Sequence, residues 1–176
     1  MSAGLQGDPG SCSQAGGSLR RLASRLESAA TRAERTSGEV APASEPWTGR
    51  VARDLGRRQR ALVDAARATS AQLDRVGSAL QEHSSDLAEA LQELRDLEGR
   101  AAAAGLRVVD GRVELQWGVA GVADAGDTAA RHDLRDELQT RVDRVLLLLA
   151  RRRARVAEAL EAARQALADE AAAVRR

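Results

Sequence analysis

The sequence predicts a mainly α-helical fold, an elongated antiparallel bundle or coiled coil of three helices at about 17–43, 50–104 and 128–175. A small β-hairpin at about 106–116 is predicted between helices 2 and 3. Three observations support this fold class. Apolar residues recur at steps of three and four in three long stretches. The composition is rich in Ala, Glu, Leu and Arg, as in long helices. One short segment alternates apolar and polar residues around Asp-Gly.

Aromatic residues are almost absent: they make up 1% of the chain, against 43% hydrophobic and 30% charged residues. Because aromatic side chains dominate the energy of compact cores, burial here must come from Leu, Val and Ala, which suit close helix–helix packing. The net charge of +1 gives no overall attraction to nucleic acid or to an anionic membrane. No transmembrane segment is expected, since the longest apolar runs fall far short of ~18 residues.

Residues 1–17 are predicted to form a flexible leader, rich in Gly and Ser, that contains the lone Cys12. A single cysteine permits no internal disulfide. The leader has neither a basic start nor an apolar core, so a cleaved signal peptide is not expected. Helix 1 follows, with an apolar seam at Leu19, Leu22, Leu26, Ala29, Ala33, Thr36 and Val40.

Helix 2 carries the strongest pattern, a strict alternation of four- and three-residue steps that Val51 and Leu55 extend towards the N-terminus. A repeat of 3.5 residues sustained over this length favours left-handed helix pairing. At ~1.5 Å per residue the helix would be roughly 80 Å long. We interpret the seam as the packing or partner-binding surface; it comprises Leu62, Ala66, Thr69, Leu73, Val76, Leu80, His83, Leu87, Ala90, Leu94, Leu97 and Ala101.

The segment LRVVDGRVELQW predicts the β-hairpin, with strands at about 106–109 and 112–116. Asp110 and Gly111 favour a type I′ turn, in which both central residues need positive φ. An isolated two-stranded hairpin is marginal in water, so Trp117 is expected to cap it against a helix. Gly105 is well placed to end helix 2 in the αL conformation. The hairpin and a loop fill residues 105–127.

Residues 128–176 are predicted to form one long C-terminal helix that packs back on helix 2. Residues Leu146–Leu149 are apolar on every side of this helix, which predicts burial between two neighbouring elements. The seam of helix 3 comprises Leu134, Leu138, Val142, Val145, Leu149, Val156, Leu160, Ala163, Leu167 and Val174.

The sequence has no motif of catalysis, cofactor binding or metal binding: HExxH, Walker A, GxGxxG, GxSxG and CxxC are all missing. We therefore expect no enzymatic activity, no cofactor and no bound metal. His83 and His132 lie on different predicted helices. His83 has two interpretations, a ligand or pH switch, or a hydrogen-bonded polar residue that sets the register of pairing. We favour the second.

The sequence contains two clusters of arginine residues. Binding of single-stranded nucleic acid would require stacking aromatic residues, which are missing, and acidic residues follow both clusters closely. We expect a solvated face or a patch for an acidic partner instead. The clusters are Arg50, Arg53, Arg57, Arg58 and Arg60 at the start of helix 2, and Arg151, Arg152, Arg153 and Arg155 in helix 3.

The corner between helices 1 and 2 contains Trp47-Thr48-Gly49, and the chain opens with Gly7-Asp8-Pro9 before a Leu-rich helix. This arrangement resembles the WXG100 (ESAT-6-like) superfamily over roughly residues 5–104. It looks most similar to the WXG-like regions of type VII secretion substrates and accessory proteins of high-GC Gram-positive, actinobacterial species. The resemblance implies a helical hairpin over residues 18–104, turned by Trp47 and Gly49, that pairs with a partner hairpin or another copy.

One feature departs from the family: its substrates commonly carry a Tyr-x-x-x-Asp/Glu export signal, and this chain has no Tyr. The function we expect is a non-enzymatic interaction protein associated with type VII secretion, acting by helix pairing with a helical partner or as a homodimer. It would be cytoplasmic, or exported without a cleaved signal peptide by using a partner's signal. The alternative is a cytosolic structural coiled-coil or adaptor protein unrelated to secretion, in which the WxG is coincidental.

Overall fold

A computed structural model describes residues 8–40, 49–116 and 125–175, with the backbone alone at 37–40 and 125–127. Within these ranges the chain forms three helices and two strands. Their order is α1 Pro9–Val40, α2 Arg50–Ala103, β1 Leu106–Val109, β2 Arg112–Leu115 and α3 Ala125–Val174. The predicted class, mainly helical with a small antiparallel sheet between the second and third helices, is confirmed. Trp47 and Trp117, to which the sequence assigned the corner and the hairpin cap, lie outside the described residues.

The start of α1 differs from the sequence-based expectation. The helix begins at Pro9, so residues 9–17 of the expected leader are helical, and the prediction that they are flexible is wrong. Asp8 explains this start, because its Oδ1 accepts a 3.2 Å hydrogen bond from the backbone N–H of Gly10. Proline suits the first turn, where its missing N–H would have no helical partner. Cys12 is consequently a half-buried residue of a helix.

The described residues separate into two compact units. We call the unit of Met1–Gly10 and His83–Arg155 the hairpin unit, and the unit of Ser11–Glu82 and Val156–Arg176 the α1 unit. In the hairpin unit, α2 and α3 bury residues three or four positions apart, so each helix gives one apolar face to the core. This core comprises Leu87, Ala90, Leu94, Leu97, Ala101, Leu106, Val113, Leu138, Val142, Val145 and Leu149.

The β-hairpin closes with the turn that the sequence predicts. Asp110 and Gly111 have φ values of 51° and 79°, both positive as a type I′ turn requires. β1 pairs antiparallel with β2, with Leu106 opposite Leu115. Gly105, at φ 69°, follows the end of α2 in the αL region. Alternation along the strands therefore directs Leu106 and Val113, both buried, into the core.

Gln139 of α3 holds the hairpin on the helix. Its Oε1 accepts a 2.7 Å hydrogen bond from the backbone N–H of Val113, and its Nε2 donates to the carbonyl of Gly111 at 2.9 Å. The same Nε2 donates to Asp143 Oδ1 at 2.8 Å, which fixes the orientation of the amide. One side chain thus satisfies a donor on β2 and an acceptor in the turn, and stabilises a hairpin that would be marginal alone.

In the α1 unit, α1 and α2 meet through small residues. α1 buries Gly16, Ala23 and Ala30, one at every seventh position, and α2 buries Val63, Ser70 and Gly77 at the same interval. Ser70 Oγ donates a 2.8 Å hydrogen bond to the Ala23 carbonyl. Because the contacting side chains are so short, the two backbones lie close together.

Candidate interaction site

The residues of the predicted α2 seam are buried in one part of the helix and exposed in another. In the hairpin unit, His83, Leu87 and Leu94 are buried. In the α1 unit, Leu73, Val76 and Leu80 are only half-buried, and the side chain of Leu62 is 54% exposed. The seam is therefore buried at its C-terminal end and exposed at its start, where Val51 and Leu55 are 71% and 58% exposed. We call this exposed part the open start of the seam.

The reason for this exposure is that α1 packs on a different line of α2. The residues that face α1 are Val63, Ser70 and Gly77, each offset by one position from a predicted seam residue. The leucine pattern did not reveal this line. The signal that would have revealed it is the seven-residue recurrence of small residues on both helices, Gly16 and Ala23 on one and Ser70 and Gly77 on the other.

Charged side chains fix the register of α1 on α2. Arg67 makes a two-pronged contact with Glu34, at 2.6 and 2.5 Å, and lies 3.6 Å from Glu27. The hydrogen bond to Glu34 is the main reason that the pKa of Arg67 is raised. About two turns further along α2 from Arg67, Asp74 lies 3.1 Å from Arg20 of α1. These pairs are solvent-exposed, so their main effect is on register and direction rather than stability.

The first arginine cluster lies beside the open start of the seam. All five members are exposed. Arg57 pairs with Asp54 on its own helix, while Arg53 and Arg60 donate to backbone carbonyls one turn earlier. Arg50 and Arg58 have no hydrogen-bond or ion-pair partner among the described residues. Arg58 follows Leu55 by three residues and precedes Leu62 by four, so it lies on the same face of α2 as the exposed leucines.

The second cluster, on α3, is divided between paired and unpaired arginines. Arg152 lies 3.2 Å from Asp86 and 3.8 Å from Glu89 of α2, and Arg153 also has a partner. Arg151 and Arg155 are exposed and lack one within the described ranges. Beside them, Leu147 and Leu148 are 52% and 45% exposed.

The predicted burial of Leu146–Leu149 on all sides is therefore wrong. Leu149 is buried and Leu146 packs partly against the core, but Leu147 and Leu148 face solvent. A run of four apolar residues covers the whole circumference of a helix, whatever the number of neighbours that the helix has. In the hairpin unit only one side of this stretch of α3 is covered.

His83 differs from the interpretation that the sequence favoured. Its side chain is buried at 9% exposure, and Nδ1 has no hydrogen-bond partner among the described residues. Nδ1 of His83 therefore forms no hydrogen bond that could set the register of helix pairing. His132 is half-buried on α3. Within the described ranges, no three His, Cys, Asp or Glu side chains are grouped in a way that could hold a metal ion.

Gly49 is the described residue of the Trp-x-Gly corner. Its carbonyl accepts a 3.3 Å hydrogen bond from the backbone N–H of Arg53, so it acts as the cap of α2. A Cβ added to Gly49 would meet no atom within 4 Å. Packing therefore does not require glycine here, but the φ of 159° at Gly49 is one that residues with a side chain rarely adopt.

Comparisons with protein families, with curated proteins and with solved structures each found no match to this chain. In the part of the chain that the structure describes, no helix is both long and apolar enough to cross a membrane. The candidate site that the geometry offers is the exposed start of the α2 seam, formed by Val51, Leu55 and Leu62 beside exposed arginines.

Proposed function

We propose that this chain is a non-enzymatic interaction protein that works by pairing the open start of the α2 seam with another helix. The proposed arrangement is an elongated antiparallel coiled coil, with the seam as its partner-binding edge. The partner is a helical protein or a second copy of the chain.

The exposure of the seam carries this proposal. Val51, Leu55 and Leu62 recur at steps of four and seven, so they lie on one face of α2. Each is more than half exposed. Burying a leucine or valine side chain is worth about 1.5–3 kcal/mol, so these three side chains, with Arg58 between Leu55 and Leu62, form an apolar face that a partner helix would stabilise.

The proposed process is type VII secretion. The support is the sequence resemblance: Trp47 and Gly49 between two amphipathic helices, and Gly7-Asp8-Pro9 at the start. Since the chain has no Tyr, export would depend on a signal carried by the partner. Pairing through the α2 seam would then be the step that commits the protein to the pathway.

The pairing is tested by purifying the full-length chain from its native host and determining the mass of the complex by light scattering. Wild type is expected as a dimer or as a stoichiometric complex with a helical protein. Leu62→Asp is expected as a monomer with unchanged helicity, because an unpaired charge in the strip opposes burial. Leu160→Asp is the matched control, since Leu160 is also exposed, at 42%, but lies on α3. Equal masses for wild type and Leu62→Asp would refute the proposal.

A second candidate function is a structural coiled-coil or adaptor role in the cytosol, unrelated to secretion. One observation favours it: no atom lies within 4 Å of a Cβ added to Gly49, so the Trp-x-Gly corner shows no packing contact at its glycine, whose φ of 159° alone favours that residue. The Trp-x-Gly tripeptide would then be coincidental. Pairing that depends on Leu62, together with retention in the cell regardless of the secretion ATPase, would support this second function.

A further inference from the structure

The exposed face of α3 in the hairpin unit carries two adjacent leucines among unpaired arginines. Arg144, Leu147, Leu148, Arg151 and Arg155 are spaced at three, four and seven residues, so they form one stripe along the helix. At ~1.5 Å per residue the stripe is roughly 16 Å long, about three turns. We call these five residues the Arg-Leu stripe.

The apolar centre of the Arg-Leu stripe lies opposite the core. Val145 and Leu149, at 3% and 2% exposure, are buried in the hairpin unit. Leu147 is 52% exposed, and Leu148 is 45% exposed at the edge of a shallow groove that Glu89, Ala90 and Glu93 of α2 also line. Both leucines therefore keep about half of their surface available to another molecule.

The charge of the Arg-Leu stripe has no counterpart within the described hairpin unit. Arg144, Arg151 and Arg155 make no hydrogen bond or ion pair among the described residues. Arg152, one residue along, contacts both Asp86 and Glu89. Acidic residues of α2 thus neutralise the inner side of this helix, while the three outward arginines remain uncompensated.

These observations decide between possible occupants. A second copy docking through the same stripe would place arginine against arginine, which is unfavourable. A membrane-binding helix usually presents a broad apolar face with aromatic anchors, and this stripe has two leucines and no aromatic residue. Single-stranded nucleic acid would also require aromatic stacking. A helix with leucines in its seam and carboxylates beside them matches both the apolar centre and the charge.

We propose that the Arg-Leu stripe is a docking surface for an acidic amphipathic helix of another protein. The leucines of the partner pack against Leu147 and Leu148, and its Glu or Asp side chains pair with Arg144, Arg151 and Arg155. The surface belongs to the hairpin unit and is distinct from the α2 seam. It rests on neither the secretion resemblance nor the pairing through Leu62.

The test uses the full-length chain and a labelled synthetic helical peptide of about three heptads, with Leu at a and d and Glu at e and g. Binding is measured by fluorescence anisotropy. A second peptide has Arg in place of every Glu. The variants are Arg151→Glu, the double variant Arg144→Glu/Arg151→Glu, and Leu147→Ser/Leu148→Ser. Arg131→Glu is the matched control, because Arg131 is an exposed arginine of α3 outside the stripe that pairs with none of the described residues.

Wild type is expected to bind the acidic peptide and not the basic one, more weakly as salt rises. Arg151→Glu should weaken binding about tenfold or more, whereas Arg131→Glu should change it less than about twofold. The double charge reversal should transfer binding to the basic peptide. The leucine double variant should lose binding while its circular dichroism spectrum stays that of the wild type.

Four results would overturn the proposal. The first is no binding of the acidic peptide by the wild type. The second is an equal loss in Arg131→Glu and Arg151→Glu, which would indicate attraction to positive charge in general. The third is full binding by the leucine double variant. The fourth, from a parallel assay with vesicles rich in phosphatidylserine, is tighter binding of the vesicles than of the peptide.

Discussion

Gly16 of α1 and Gly77 of α2 are in direct backbone contact: a Cβ on Gly16 would lie 2.6 Å from the Gly77 carbonyl oxygen, and one on Gly77 would lie 2.8 Å from the Gly16 oxygen. Glycine is ordinarily a poor choice within a helix, at a cost of about 1 kcal/mol relative to alanine. Here it allows the two helices to approach closely. The close contact therefore explains why both positions are glycine, although glycine has a low helix propensity.

Gly77→Ala is expected to destabilise the protein by up to about 2 kcal/mol. The added methyl would lie 2.5 Å from Arg20 Cγ and 2.8 Å from the Gly16 carbonyl oxygen, and the backbone atom cannot move aside as a side chain can. Such overpacking costs about 1–3 kcal/mol, and the gain in helix propensity offsets about 1 kcal/mol. Urea unfolding monitored by circular dichroism measures the change. Gly99→Ala, in the same helix but with nothing within 4 Å of its added Cβ, should instead stabilise by up to about 1 kcal/mol. If both variants are stabilised alike, the close contact is wrong.

Ser70→Ala should destabilise the protein by about 0.5–1.5 kcal/mol, the net value of a buried hydrogen bond. Ser70 is 7% exposed, and its hydroxyl donates a hydrogen bond to the Ala23 carbonyl on the neighbouring helix. Ser28→Ala is the control, since the Ser28 hydroxyl is exposed and bonds only to Ser24 within its own helix. Its stability should stay within about 0.5 kcal/mol of wild type. Thermal unfolding of the two variants side by side would reveal no difference if Ser70 did not bridge the helices.

Gln139→Ala should loosen the β-hairpin without unfolding the helices. The Val113 N–H loses its partner, and the Gly111 carbonyl loses its donor. Amide exchange of Val113, followed by NMR, should accelerate about tenfold, the equivalent of about 1.4 kcal/mol. Thr140→Ala, at the next position of α3, removes a hydroxyl that bonds only to Asp136 of the same helix. Unchanged exchange at Val113 in Gln139→Ala would show that the hairpin does not depend on this amide.

Leu87→Asp should unfold the protein and Leu62→Asp should leave it folded, although both residues lie in the predicted seam. Leu87 is 1% exposed, so a carboxylate there costs several kcal/mol and should lower the helical signal at room temperature. Leu62 is 54% exposed, so the isolated chain should remain folded, with a loss of less than about 1 kcal/mol. Circular dichroism melting curves distinguish them. A Leu62→Asp variant that unfolds as readily as Leu87→Asp would mean that the seam is closed along its whole length.

The sequence pattern was sufficient for the helices and the hairpin because each has a local signal. The 3.5-residue leucine repeat indicates α2, and Asp110-Gly111 indicates the turn. The start of α1 escaped prediction because Gly16 and Gly17 weaken a helix locally; the Asp8 cap and the contact of Gly16 with α2 offset that cost. Gln139 could not be predicted, since an amide that bonds to a distant backbone leaves no periodic signature in the sequence.

The exposed surfaces were the hardest part to predict. A leucine repeat identifies an apolar face but not the element that covers it. α1 packs against Ser70 and Gly77 instead of the leucine line, which leaves Leu62 exposed. For the same reason, Leu147 and Leu148 were expected to be buried and are not. Coverage depends on how the helices dock, which is decided by long-range contacts rather than by local periodicity.

The most direct test of the central claim, that pairing through the open α2 seam serves type VII secretion, is an immunoblot of cell pellet and culture medium from the native host. Wild type and Leu62→Asp are compared in strains with and without the type VII ATPase, with a cytosolic marker as the lysis control. The account predicts wild type in the medium only when the ATPase is present, and Leu62→Asp in the pellet of both strains at normal abundance. Wild type confined to the pellet of both strains, or export of Leu62→Asp at the wild-type level, would contradict it.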